Sequence, residues 1–327
     1  MIGGPGVGRA ARLEGKLRAL FPLYLLLLRL ATRHPNGFGE KVQYKIARDR
    51  RPLLKVFADK LESKEYVRRR LGPGFTPEVL AVADRAGDLP WAELPDEVAF
   101  KVSHGSGGGV ISSAGQDPEA RVPEATIENA WGNSAGVHPT NADPERVGAF
   151  LDMHLSLDFF WMFAEWGYRE VRRRALAEEI IEGPGGGDPL EYRLYTFSGR
   201  CALIIAGTSL IHPNPPLDIF LPDWTRLDAT RPGTQPHDSV PERPPFLGEM
   251  IDAAEVLGAG TDFLRVDVLA SEERFWIGEL TSYPYAGRLP FEPPEIERWA
   301  GELWDHPADY STLPQGSYPL PPLDSST

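Results

Sequence analysis

The stretch Phe263-Leu-Arg-Val-Asp-Val-Leu-Ala-Ser-Glu-Glu-Arg-Phe-Trp-Ile-Gly-Glu-Leu-Thr281 decides how this chain reads. Phe263, Val266, Val268 and Leu269 mark a buried strand, while Arg265 and Asp267, two apart, share one face. Ser271-Glu272-Glu273 turns the chain, and Phe275 to Leu280 reads as the antiparallel partner. Such a hairpin can bring Asp267 and Glu279 side by side. Two adjoining carboxylates in apolar surroundings require a cation, and hard oxygen ligands favour magnesium, which commonly bridges to phosphates. On its own the hairpin reads more simply as a solvated face with Arg265 as an ion-pair partner. A second stretch changes the weighting.

That stretch is Val98-Ala-Phe-Lys-Val-Ser-His-Gly-Ser-Gly-Gly-Gly-Val-Ile111. A short apolar strand carries Lys101 and runs directly into the glycine-rich segment from Ser103 to Gly109. Glycines let a backbone approach a polyphosphate and offer it N–H groups, and a lysine on the preceding strand adds a point charge. The segment is not a Walker A loop, because no Gly-Lys-Ser/Thr closes it, and it lacks the dinucleotide Gly-x-Gly-x-x-Gly spacing. A plain hairpin tip is the ordinary alternative.

The rest of the sequence bounds the function. With 327 residues, two or three subdomains are expected. The net charge of −13 argues against a nucleic-acid partner or an anionic membrane surface. The single cysteine, Cys201, allows no internal disulfide, fits a reducing, cytoplasmic setting and reads as a small buried hydrophobe. His138, His154 and His212 lack zinc-ligand spacing, and neither a Gly-x-Ser-x-Gly elbow nor a His-Glu-x-x-His motif occurs.

Punctuation divides the chain. Residues 1–37 form a basic amphipathic segment whose Leu20–Leu28 run is too short to span a bilayer and reads as a helix that docks on the core or on a partner, with peripheral membrane contact a minor alternative. Residues 38–95 form an N-terminal region, 96–175 a small subdomain with the glycine loop, and 176–313 a larger subdomain with the hinge and the carboxylate pair. Pro144 to Arg174 reads as helical, its Phe159–Phe163 aromatic run as core. The Pro-rich 213–245 segment reads as a surface excursion, 247–257 as a helix, and 314–327 as a disordered tail.

Taken in order, these pieces resemble the ATP-grasp superfamily, and specifically the TupA-like family associated with teichuronopeptide and other surface-polymer biosynthesis. The likeness runs from about Phe38 to Trp304. It rests on Gly39–Lys45, Ala58-Asp-Lys60, the Lys101 strand with His104-Gly-Ser-Gly107, Ala177–Ile181, Glu191–Gly199, Arg265-Val-Asp267 and Gly278–Thr281. Glu191 and Arg193 stand where Asp and Lys are more usual, Ser103 replaces an Asn, and Thr281 stands where ligases outside this family place an asparagine metal ligand.

The resemblance implies an α+β ATP-grasp fold, two subdomains clasping ATP behind an N-terminal helical segment. It implies ATP and Mg2+ as cofactors, with Asp267 and Glu279 on the metal. Lys60, Lys101, Gly105, Ser106, Gly107 and Gly108 would meet the phosphates. At the hinge, Glu178, Glu179, Ile180 and Ile181 would meet the adenine, Glu178 being preferred for its amino group, and Glu191 would suit a ribose hydroxyl. Arg265, Arg193 and His104 fall among the catalytic groups. The implied reaction joins a small-molecule or polymer carboxylate to an amine through an acyl phosphate. A kinase-type phosphotransferase and a non-catalytic nucleotide-binding scaffold remain as alternatives.

Overall fold

The computed structural model describes residues 20–105, 107–126, 129, 134–207 and 216–322. The described residues begin in helix α1 (residues 20–31), longer than its leucine run, which seats Phe21, Leu25 and Leu28 on the body of the protein. Leu20, Leu23, Leu26 and Leu27 stay exposed. Among the described residues no helix is long and apolar enough to cross a membrane.

Helix α2 (Phe38–Arg48) starts where the Glu40 carboxylate reaches back to accept the Asn36 N–H at 2.8 Å and the Gly37 N–H at 3.3 Å. After α3 (Leu53–Ala58), Asp59 caps α4 (Lys60–Leu71) by accepting the Leu61 N–H at 3.0 Å, and Gly72, at φ 92°, ends it.

Strands β1 (Val79–Ala83), β2 (Val98–Val102), β3 (Val110–Ser112), β4 (Ala135–Val137) and β5 (Ala175–Glu178) form one sheet, ordered β1-β5-β2-β3-β4. Helix α5 (Pro144–Ser156) covers it, packing Val147, Phe150 and Leu151 on Val98, Phe100 and Ala175. The helical reading of 144–174 is corrected here. Asp158 caps a separate short helix, α6 (Phe159–Phe163), and Ala164 stops that helix in the left-handed region at φ 61°.

The second sheet, ordered β10-β9-β6-β7-β8, comprises β6 (Leu190–Phe197), β7 (Arg200–Gly207), β8 (Leu217–Phe220), β9 (Phe263–Ala270) and β10 (Phe275–Thr281). On β6 and β9 the even-numbered residues, among them Tyr192, Leu194, Val266 and Val268, bury against α7 (Leu247–Gly258) and α4. Tyr195, Phe197, Phe263 and Ile205 bury on the opposite face against α2 and α8 (Pro294–Glu302). Behind that face lies an ion network: Lys45 and Arg51 both bond Asp49 and Asp262, each carboxylate almost wholly buried.

Three boundaries differ from the sequence reading. Residues 38–71 pack on the second sheet, Leu53, Val56 and Phe57 sharing its core, while β1 pairs with β5 from Val79 opposite Glu178 and so belongs to the first sheet. The Pro-rich segment contains β8, whose four residues are all buried, so it closes a sheet edge. Residues 314–322 of the expected tail are tied to the body, Leu53 N–H donating to Gln315 O at 3.0 Å and Tyr318 OH to Asp59 at 3.0 Å, while 323–327 lie outside the described residues.

Candidate active site

The face of the second sheet that buries Tyr195 and Phe263 turns polar toward the β9–β10 edge. There the register sets Arg193 opposite Asp267, Asp267 opposite Glu279, and Arg265 opposite Thr281. Parity alone would not do this, because Phe275 and Ile277 point into the core and residue 279 shares their parity. A bulge between Ile277 and Glu279, at Gly278, shifts the strand by one residue, sending Leu280 into the core and Glu279 and Thr281 to the polar face.

On that face Arg265 grips Asp267 with a two-pronged bond, Nε and Nη2 each at 2.6 Å, and its Nη2 also donates to Thr281 at 3.1 Å. Burial opposes the Arg265 charge, but Asp267 outweighs it and holds the guanidinium firmly protonated. Arg193 donates to Glu191 at 2.9 Å and to the Tyr285 hydroxyl at 3.1 Å. Tyr285 and Ala286 both hold positive φ, 53° and 52°, a strained turn that carries the tyrosine over the cleft.

The first sheet supplies Lys101 opposite. Its ammonium lines the cleft and donates to Glu178 at 2.9 Å, while Lys64 lies 3.2 Å from the other oxygen of that carboxylate. Burial works against both members of the Lys101–Glu178 pair, yet each sustains the other's charge, Lys101 shifted up and Glu178 down. This corrects the expected hinge role of Glu178, whose side chain is 2% exposed and turned to the two lysines. Glu179 is the neighbour that lines the cleft, its carboxylate accepting the Glu78 N–H at 2.9 Å, beside Ile180 and Ile181.

Lys60, the first residue of α4, is placed by its own N–H bond to Ser103 O at 2.7 Å, and its ammonium donates to Gly105 O at 2.8 Å. Burial lowers its pKa, against the pull of Glu279. Gly107 reaches the cleft, whereas Gly105 and Gly108 turn away from it; a Cβ on either would meet a ring, Phe159 at 2.3 Å or His154 at 2.2 Å. Ser106 lies outside the described residues. His104 is also corrected. It is buried, its Nε2 3.1 Å from Leu157 O and its ring edge-on to Phe159, and burial drives its pKa down to about 3, so it stays neutral beneath the loop.

One cavity of ≈ 780 Å³ joins these groups: Lys60, Lys101, Gly107, Glu179, Glu191, Arg193, Arg265, Asp267, Glu279 and Thr281 all line it. The sequence reading missed Glu165, Tyr168, Tyr283, Tyr285 and Arg288 along the same wall. A lone carboxylate inside the Phe159–Gly167 aromatic run was the available signal for Glu165. Burial pushes its pKa up to about 8, eased by Arg288 and reinforced by Glu279.

Asp267 and Glu279 present hard oxygen donors to one space, which fits a magnesium ion that draws its remaining ligands from phosphate and water. Among the described residues no group of three or more His, Cys, Asp or Glu side chains gathers, so the donor set does not make an all-protein cage.

The sequence profile of the TupA-like ATPgrasp family matches residues 40–305. The chain belongs to that family. The two sheets facing one cleft are accordingly its ATP-grasp fold. No curated protein matches the chain. Among solved structures it is similar to the ATP-grasp ligase PsnB complexed with minimal precursor, at 10% identity and TM-score 0.36 over 71% of this chain and 54% of that one. It is also similar to D-alanine–D-alanine ligase from Bacillus anthracis complexed with ATP, at 15% identity and TM-score 0.38 over 71% and 57%. The macrocyclase MdnC bound with precursor peptide MdnA from Microcystis aeruginosa MRC overlaps at 12% identity and TM-score 0.34 over 77% and 63%. The ATP-grasp chain thus spans between half and two thirds of the length of these structures.

Proposed function

We propose that this chain is an ATP-dependent carboxylate–amine ligase of the cytoplasm, working in surface-polymer or peptide biosynthesis. The observation that carries the reading is the shared cleft lined by Lys60 and Lys101 from one side and by the adjoining carboxylates of Asp267 and Glu279 from the other. Phosphoryl transfer needs positioning and charge compensation more than a protein nucleophile, and these side chains offer both.

In this reading Lys60, Lys101 and the Gly107 backbone hold the phosphates, and the hinge from Glu179 to Ile181 meets the adenine with Glu191 at the ribose. Asp267 and Glu279 hold magnesium, which when bound neutralises phosphate charge. A substrate carboxylate oxygen attacks the γ-phosphorus as its bond to ADP breaks. An amine then attacks the acyl carbon and phosphate leaves. Arg265 and Arg193 steady the oxygen charge that develops at that carbon.

The test is release of ADP and phosphate by the purified protein with Mg-ATP and paired panels of carboxylic acids and amines. Product release that requires both partners, with an amide seen by mass spectrometry, is the expected result. A phosphorylated acceptor in place of an amide would overturn it in favour of a phosphotransferase.

A further inference from the structure

Beyond the nucleotide groups, the cleft continues to a wall made by Glu165, Tyr168, Tyr283 and Arg288. Glu165 stands just after the left-handed turn at Ala164, held by the Tyr168 N–H bond to its own carbonyl at 3.1 Å. Its side chain is 8% exposed, lines the cavity, and has no hydrogen-bond or ion-pair partner among the described residues. A carboxyl withdrawn from water without a partner tends to keep its proton, and a ligand that brings a cation supplies the partner that lets it ionise.

The cation is an ammonium rather than a metal, because Glu165 is the one carboxylate among the four side chains of this wall and offers a single hard donor where a metal needs several. At the mouth of the same wall, Arg288 is exposed and keeps donors in reserve, its Nη2 only 3.4 Å from the Tyr24 hydroxyl. An acid inside and a guanidinium at the rim match a zwitterion.

We infer that this wall is the acceptor subsite and takes a free amino acid, its ammonium on Glu165 and its carboxylate toward Arg288. The inference rests on the ligase reading. Of the two protons that the ammonium gives up, one passes to a Glu165 oxygen. The freed nitrogen pair forms the C–N bond as the acyl C–O bond to phosphate breaks, and the second proton leaves with the phosphate. Glu165 is then a catalytic residue, and Arg288 sets specificity.

The test is saturation-transfer NMR on the full chain with Mg2+ and a non-hydrolysable ATP analogue, using an equimolar mixture of the twenty common amino acids and, separately, their desamino acids. One or more amino acids should show transfer in the wild type while their desamino counterparts do not. Glu165→Gln and Arg288→Gln should each lose at least ten-fold in amino-acid affinity, with analogue affinity unchanged by calorimetry, which also shows both variants folded. Analogue binding without any amino-acid signal, or equal signals in wild type and Glu165→Gln, would overturn this inference and leave the ligase reading standing. Loss of analogue binding in the wild type would overturn both.

Discussion

Lys101 and Glu178 meet 2.9 Å apart at the floor of the cleft, so the ammonium that lines the cavity is gripped from behind by a buried carboxylate. This makes Lys101 part of the fold as well as of the site. Replacing it by Met should leave Glu178 with Lys64 alone and lower stability by about 3 kcal/mol, since breaking a buried pair strands its partner. Adding Glu178→Gln should restore much of that stability in a denaturant melt while ATP affinity, measured by calorimetry, stays weakened at least ten-fold. Recovery of both together would make Lys101 purely structural.

Asp267 is clamped at 2.6 Å by Arg265, whereas the Glu279 carboxylate takes no hydrogen bond or ion pair from any described residue, so the two carboxylates should respond differently to substitution. Asp267→Asn releases Arg265 and should cost both ATP turnover and about 2 kcal/mol of stability. Glu279→Gln should abolish turnover, by on the order of 100-fold or more, with the melting temperature nearly unchanged. Magnesium-dependent turnover near wild type in Glu279→Gln would refute the metal assignment.

Gly105 combines φ 81° with a Cβ position 2.3 Å from the Phe159 ring, so no side chain fits there without moving the loop. Gly105→Ala should therefore lower stability by roughly 1–3 kcal/mol and raise the KM for ATP, because Lys60 is bonded to the carbonyl of this residue. A melting temperature and KM both unchanged would show that the loop is not held against Phe159 in solution.

Burial opposes the charge of Asp49, yet Lys45 and Arg51 hold its pKa below the ordinary carboxylate value. The unfolded chain therefore binds the proton more readily than the folded one. The stability this group contributes is present above about pH 4 and is lost as pH falls through the lower native value. Asp49→Asn should cost about 3–5 kcal/mol at pH 7, and its stability should fall less steeply than that of the wild type between pH 5 and 3. Parallel acid limbs in the two proteins would show that Asp49 contributes nothing to the pH dependence.

Much of the site was legible along the chain because a strand's two-residue period is local. Arg265 with Asp267, and Glu191 with Arg193, had to share faces once their segments were strands. The glycine loop after Lys101 and the single apolar cysteine were equally readable, since each depends on residue type and immediate neighbours. The Asp267–Glu279 pairing was legible as a hairpin. Its physical cause was not, because the Gly278 bulge that turns Glu279 to the cleft shows only against the register of β9.

Only the tertiary structure decided the partners of groups far apart in sequence. Glu178 could face an adenine or a lysine on local grounds, and the pairing of β5 with β2 chose the lysine. His104 stands in a polar glycine loop and was expected among the catalytic groups, yet α6 brings Phe159 over it and buries it. The residues after 313 looked unstructured by composition, yet Tyr318 and Leu320 bond to the start of α4. In each case the sequence determined which face or turn a side chain occupies, while burial by a distant element decided whether that side chain serves the cleft or the core.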